Sequence, residues 1–240
     1  MSLKRSSAAV QTTPFPDPHL YQKLAGSLQY LSITRPDIAF TINYICQRMH
    51  QPTTNDFQVL KRLLRYIQGT THLGIPIEPG DLTLRTFADA DWAADSSDRR
   101  SISGYCTFLG STIISWSAKK QATVAKSSTE AEYRSVSAAT SEVLWLRRLL
   151  AELSIPQISP TTIFCDNTSA IALAHNPVFH ARTKHIEIDY HFISNHIKAG
   201  ELNISHVSSI DQVADILTKP LPEDRFNLLR SKLTICSKDA

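Results

Sequence analysis

Four carboxylates in this sequence stand where a folded sheet could gather them: Asp89, Glu132, Asp166 and Asp215. Asp89 closes a strand-like run in Phe87-Ala88-Asp89-Ala90-Asp91-Trp92. Asp166 follows the apolar run Thr162-Ile163-Phe164-Cys165, and Asp215 sits near the start of a helical stretch in Gln212-Val213-Ala214-Asp215. Like charges brought within a few ångströms repel, so four converging carboxylates need cations between them. All-oxygen ligands suit Mg²⁺, with Mn²⁺ as a substitute, because both ions prefer hard donors and keep bound waters. Two such ions about 4 Å apart can activate a water and steady the leaving oxygen of a phosphodiester. The chemistry within reach of this set is phosphodiester hydrolysis.

Each carboxylate also has a structural alternative. Glu132 could close a capping box with Thr129. Yet it shares a helix face with Val136, Ala139, Val143, Leu146 and Leu150, and a carboxylate continuing a core-facing stripe is costly to bury without a cation or donor. Asp166 could cap the helix that begins at Asn167. Asp89 shares its loop with Asp91, Asp95 and Asp98, and Asp215 could be a solvated helix residue beside a capping Asp211.

The elements that must position these groups can be read from periodicity. Residues 1–20, with Pro14, Pro16 and Pro18, show no period and read as a disordered leader. Residues 21–75 read as a small helical segment in three pieces. Phe57, Leu60, Leu64 and Ile67 line one face of its last helix, and Lys61, Arg62 and Arg65 stand on the others. Residues 76–81 form a linker, and from Leu82 the period changes to that of strands. Strands are expected at Leu82–Ala88, Ser101–Leu109 and Ser111–Ser117, followed by a long helix at Ser128–Leu153. A strand at Thr161–Cys165 and helices at Asn167–Ala174 and His185–Lys198 come next. Leu202–Val207 reads as a strand and Gln212–Thr218 as a helix. That order is a mixed five-stranded α/β sheet with flanking helices over 82–221, leaving 222–240 as a partly helical tail.

Composition narrows the classes further. No window holds the ~18 uncharged apolar residues of a membrane span. The four cysteines stand 60, 59 and 71 positions apart, unlike a zinc pair or a small disulfide framework, which fits a reducing compartment. Six Lys and Arg against two Asp and Glu make Tyr21–Ile75 basic, whereas thirteen against fourteen leave Leu82–Leu221 near neutral. A basic segment beside carboxylate chemistry suits a polyanion, with Lys61, Arg62 and Arg65 as its candidate phosphate contacts. His180, His185, His191, His196 and His206 offer a rival zinc reading, but only His185 and Asp189 have ligand spacing on one helix face, and no cysteine joins them.

The order D–E–D–D on this framework resembles ribonuclease H, and more closely the C-terminal ribonuclease H domain of copia-type LTR retrotransposon polyproteins. The strings that carry the resemblance include Phe87-Ala88-Asp89-Ala90-Asp91-Trp92-Ala93, Ser101-Ile102-Ser103-Gly104-Tyr105 and Ile114-Ser115-Trp116-Ser117-Ala118-Lys119-Lys120-Gln121. Ser127-Ser128-Thr129-Glu130-Ala131-Glu132-Tyr133, Cys165-Asp166-Asn167 and Ala214-Asp215-Ile216-Leu217-Thr218-Lys219-Pro220-Leu221 extend it over about 140 residues. Tyr21–Leu31 and Thr34-Arg35-Pro36-Asp37-Ile38 resemble the tail of the reverse transcriptase in the same polyproteins. No adjacent Asp-Asp pair of a polymerase palm occurs, so the chain is not a complete polymerase.

The resemblance implies a ribonuclease H-like fold and two Mg²⁺ ions held by Asp89, Glu132, Asp166 and Asp215. It implies endonucleolytic cleavage of the RNA strand of an RNA–DNA hybrid, with the reverse transcriptase palm and fingers as partners. The setting would be a cytoplasmic virus-like particle or the nucleus. Two departures stand out. Only Val207-Ser208-Ser209-Ile210 separate His206 from Asp211, which leaves the turnover histidine of cellular ribonucleases H unassigned, and Ala94 replaces a glycine found in many relatives. The alternatives are an inactive or co-opted remnant that only binds nucleic acid, and a related integrase or exonuclease fold.

Overall fold

The computed structural model describes residues 13–176 and 186–237. The chain divides into two compact units, Met1–Ile77 with Lys219–Ala240, and Glu78–Thr218.

The first unit is helical. Helix α1 (Pro18–Leu31) opens on a proline, whose fixed φ suits a first helical position, and Asp17 caps it by accepting from Leu20 N. A short 3₁₀ turn (Pro36–Ile38), α2 (Ala39–Cys46) and α3 (Thr54–Gly69) follow. Thr53 and Asp56 form a capping box at the start of α3. Tyr21, Ile38, Ile45, Leu60 and Leu63 are fully buried, and the Tyr21 hydroxyl donates to Ile45 O at 3.0 Å. Arg35-Pro36-Asp37 is more than punctuation. Arg35 donates twice to Asp37, and Tyr66 Oη donates to the same carboxylate at 2.7 Å, so a buried charge pair is satisfied from several sides.

Two sequence expectations change here. The disordered leader does not extend to residue 20. Thr13 O accepts from Thr54 N, Phe15 stacks on Phe57, and α1 begins at Pro18; prolines that read as breakers are here an extended entry and a helix start. Residues 1–12 lie outside the described residues. The C-terminal tail also belongs to this unit. Strand β1 (Leu73–Gly74) pairs with β7 (Cys236–Ser237), and α8 (Glu223–Lys232) buries Phe226 and Leu229 while Arg230 donates to Tyr66 Oη.

The second unit carries the sheet. Its strands are β2 (Leu84–Asp91), β3 (Ile102–Leu109), β4 (Thr112–Lys120), β5 (Thr161–Cys165) and β6 (Leu202–His206), in the order β4-β3-β2-β5-β6. β2, β3 and β4 run antiparallel, and β5 and β6 join in parallel. This is the mixed five-stranded ribonuclease H-like α/β fold expected from the sequence. Helix α4 (Ser128–Glu152) lies on the sheet through Val136, Ala139, Val143, Leu146 and Leu150, all buried, which is the stripe that periodicity marks. Helices α5 (Thr168–His175) and α6 (Glu187–Lys198) pack Ala170, Ala174, Tyr190 and Ile193 into the same core. Boundaries shift in two informative places. β2 runs on to Asp91, so Asp89 lies within the ladder opposite Gly104. The last helix of the unit, α7, is only Asp215–Thr218, because Gln212, Val213 and Ala214 are buried outside helical geometry.

Candidate functional site

Parallel pairing of β2 with β5 decides which end of the sheet Asp89 and Asp166 share. Phe87 lies opposite Phe164 in that ladder, and two residues further along each strand come Asp89 and Asp166, at the same end of the sheet. Glu132, in the second turn of α4, reaches the same place. The Cys165 thiol donates toward Glu132 Oε2 at 3.9 Å, and ligand atoms of Glu132, Cys165 and Asp166 lie within 4.8 Å of one another. No other group of this kind occurs among the described residues. Asp89, Glu132 and Asp215 are buried, whereas Asp166 is half-buried and accepts from Ser209 Oγ at 2.9 Å.

Three polar side chains fix this geometry. Ser135, one helical turn after Glu132, donates to Asp89 O at 2.7 Å and also lies 3.1 Å from Gly104 O, pinning α4 to β2 and β3 at the level of Asp89. Gln212 Nε2 donates to Ala88 O at 2.9 Å, holding the segment that leads into α7. Thr218 Oγ1 donates to Asp89 Oδ2, which ties the helix carrying Asp215 to the first carboxylate. Gly104 makes room for that helix. A Cβ there would lie 2.7 Å from Thr218 Cγ2 and 2.8 Å from Leu217 Cβ. None of these four stood out in the sequence. The available signal was an uncharged polar residue three positions from a candidate carboxylate: Ser135 after Glu132, Gln212 before Asp215 and Thr218 after it.

The capping alternatives fall to neighbours. Ser127 caps α4 and accepts from Glu130 N, and the Glu130 carboxylate turns back to Lys126 N, so Thr129 and Glu132 form no capping box. Asn167 caps α5 by accepting from Ala170 N, which leaves Asp166 outside that role.

The donors fit hard divalent cations. Burial, and then the charges of Glu132, Asp166 and Asp89, push the Cys165 thiol far above its ordinary range, so without a metal it stays protonated beside the carboxylates. Of the four carboxylates, Glu132 and Asp166 place oxygens in the 4.8 Å group with Cys165, whereas Asp89 and Asp215 stand outside it. The charged donors left are carboxylate oxygens, the set that suits Mg²⁺ or Mn²⁺.

The remaining candidates are placed as follows. Lys61, Arg62 and Arg65 are exposed on α3 of the first unit, with Lys61 Nζ 5.3 Å from the centre of the Phe57 ring. His180 and His185 lie outside the described residues. His191 stands 4.0 Å from Glu187, His196 bonds Glu201, and Asp189 accepts from Ser137 instead of facing a metal. His206 ends β6, opposite Cys165 in the ladder.

A mixed sheet in this order, with acidic residues gathered where β2 and β5 end, defines a ribonuclease H-like domain. Over 224 residues, 93% of its length, the chain is 50% identical to the retrovirus-related Pol polyprotein from transposon RE1 of Arabidopsis thaliana. Over 211 residues it is 37% identical to the corresponding polyprotein from transposon TNT 1-94 of Nicotiana tabacum, again with 88% of this chain covered. The chain belongs to the family of retrovirus-related transposon Pol polyproteins. It spans 15% and 16% of the lengths of those two relatives. Among solved structures it is similar to LC11-RNase H1 in complex with RNA/DNA hybrid, with 12% identity and a TM-score of 0.43, covering 57% of this chain and 94% of that one. No family model matches the chain. No described helix is long and apolar enough to cross a membrane.

Proposed function

We propose that this chain is a ribonuclease H: a divalent-metal-dependent endonuclease that cuts the RNA strand of an RNA–DNA hybrid and leaves a 3′-hydroxyl. The observation that carries this reading is the convergence of Glu132 and Asp166 beside Cys165, with Asp89 two residues beyond the same ladder pair. Asp89, Glu132, Asp166 and Asp215 would hold two Mg²⁺ ions. When bound, such ions supply a nucleophilic water near neutral pH and neutralise charge on the phosphodiester. The protein's own contribution is positional. Thr218 orients Asp89, Ser209 steadies Asp166, and Ser135 sets the depth of Glu132 through its contact with the β2 backbone. The RNA strand is distinguished from DNA by its 2′-hydroxyl, which the site must read.

In this reading the reaction belongs to reverse transcription of a retrotransposon, alongside the polymerase palm and fingers of a parent polyprotein. It takes place in a cytoplasmic virus-like particle or in the nucleus. Lys61, Arg62 and Arg65 contact hybrid phosphates, which makes binding salt-dependent. The test is cleavage of a labelled hybrid beside duplex DNA and duplex RNA, with Mg²⁺ and with a chelator. Metal-dependent cutting confined to the RNA strand of the hybrid supports the proposal, and no cutting of the hybrid at any Mg²⁺ concentration refutes it.

A further inference from the structure

The end of the sheet that holds the carboxylates also presents an exposed basic surface with a tryptophan in it. Asp91 of β2 and Lys120 of β4 both lie opposite Ile102, so the loops over 92–101 and 121–127 leave the sheet at the same end as Asp89. These loops are built into one another. Trp92 Nε1 donates to Ala125 O at 3.0 Å, Gln121 N donates to Ser101 O at 2.8 Å, and Ala93 N donates to Ser101 Oγ at 3.1 Å. Lys120 Nζ binds Asp95 at 2.6 Å and Asp98 at 2.8 Å, which occupies both acidic side chains of the first loop.

Arg100 also lies 3.6 Å from Asp98, and three further cations are left without such partners. Arg99, Lys119 and Lys126 are exposed, and among the described residues none of the three pairs with a carboxylate. Trp92 is 45% exposed although its one polar atom is already bonded, so what it shows to solvent is ring carbon. Lys119 faces Ser103, and Ser103 faces Ala90, the neighbour of Asp89. Two strand spacings, about 10 Å, therefore separate Lys119 from β2 beside Asp89, and Asp166 follows β5, one strand further on. A flat anionic surface would press negative charge onto the carboxylates as well as onto the cations. A duplex, whose phosphates run in two rows separated by grooves, can meet the cations with one row while the other crosses the acidic pocket.

We infer that Arg99, Lys119, Lys126 and Trp92 form a platform that grips the backbone of a nucleic-acid duplex beside the carboxylate site. The identity of the duplex as an RNA–DNA hybrid rests on the hydrolase reading; the platform itself does not. It also means that the second unit has its own hold on the substrate, despite a net charge near zero, because charge is segregated within it.

The test measures hybrid affinity at several salt concentrations in the full chain carrying Asp166→Asn, so that Mg²⁺ is present without turnover. Adding Arg99→Gln, Lys119→Gln and Lys126→Gln together should weaken binding and lower the slope of log affinity against log salt by about 2–3, at ~0.9 per phosphate contact. Trp92→Ala should weaken binding roughly tenfold with an unchanged slope, as expected for lost stacking or packing. Lys61→Gln, Arg62→Gln and Arg65→Gln in the same background report on α3 separately. An unchanged slope and affinity in a triple variant with wild-type melting would overturn the platform. So would loss of binding to anionic lipid vesicles with hybrid binding intact. A lowered slope in a chain whose parent never cleaves hybrid would instead keep the platform and reject the hydrolase reading.

Discussion

Gly104→Ala tests whether the seat of α7 sets the site. The added methyl would lie 2.7 Å from Thr218 Cγ2, 2.8 Å from Leu217 Cβ and 3.4 Å from the Leu217 carbonyl carbon. Ordinary carbon contacts are about 3.5–4.0 Å. Both α7 residues are fully buried, and Leu217 Cβ moves only with its own backbone, so α7 would have to retreat from β3 by about 1 Å. Overpacking of this kind costs about 1–3 kcal/mol, a fall in melting temperature of a few degrees per kcal/mol. The larger effect falls on function. The same retreat pulls Thr218 away from Asp89 and carries Asp215 with it, and a misplacement of about 1 Å can cost ~100-fold in rate. The assay is hybrid cleavage at saturating Mg²⁺ beside thermal melting, with Gly110→Ala as control. Gly110 has φ +59° and a Cβ there would fall 1.9 Å from Asp81 O, far along the sheet from the carboxylates, so that variant should lose stability while its folded fraction keeps its rate. Wild-type cleavage by Gly104→Ala at an unchanged melting temperature would refute the reasoning.

Three further outcomes follow from the same geometry. Glu132→Gln should raise the melting temperature in metal-free buffer by about 2–4 °C, because one repelling charge leaves the acidic cluster; an equal or lower value would make Glu132 an ordinary structural residue. Thr218→Val should lower Mg²⁺ affinity measured by calorimetry as well as cleavage, and Thr218→Ser, which keeps the donor to Asp89, should restore both; failure of serine to restore either would assign Thr218 to packing alone. Burial alone would raise the Asp95 pKa, but hydrogen bonds from Lys120 and Ser97 outweigh it and hold the carboxyl well below its ordinary 3.8. A depressed carboxyl stabilises the fold above about pH 4 and loses that contribution as pH falls toward its folded value. Asp95→Asn should therefore destabilise at pH 7 and approach wild type in acid, as urea unfolding at both pH values would show; a penalty independent of pH would contradict the ion pair.

Much of the fold could be read in advance because the first strand and the long helix of the second unit each keep a buried stripe at their own period. Leu84, Thr86 and Ala88 alternate inward along β2, and the Val136-to-Leu150 stripe keeps one azimuth down α4, so period alone separates strand from helix. Local pattern could not show what lies far away in sequence. Phe226, Leu229 and Leu233 mark an apolar face on the C-terminal helix, but nothing nearby says that it closes the N-terminal unit. α7 is short because Gln212 gives its amide to the β2 backbone, a contact spanning 124 positions. At the site, the carboxylates were legible because burying acid is costly and hence conspicuous. Ser135, Gln212 and Thr218 were not, since uncharged polar residues are common and only the folded contact reveals which ones carry a carboxylate. The capping alternatives fail for a related reason: Ser127 and Asn167, two and one residues from Thr129 and Asp166, satisfy the same orphan amides.

The most direct measurement is single-turnover cleavage of a labelled RNA–DNA hybrid by the full chain and by Asp166→Asn, with hybrid binding recorded for both. Asn keeps the size and shape of the side chain and can still accept from Ser209, while removing one charge from the group formed by Glu132, Cys165 and Asp166. The account predicts cleavage of the RNA strand by the parent chain only with Mg²⁺ or Mn²⁺, and its loss in Asp166→Asn with binding and melting nearly unchanged. Near-normal turnover by Asp166→Asn, or cleavage by the parent that persists in a chelator, would contradict it.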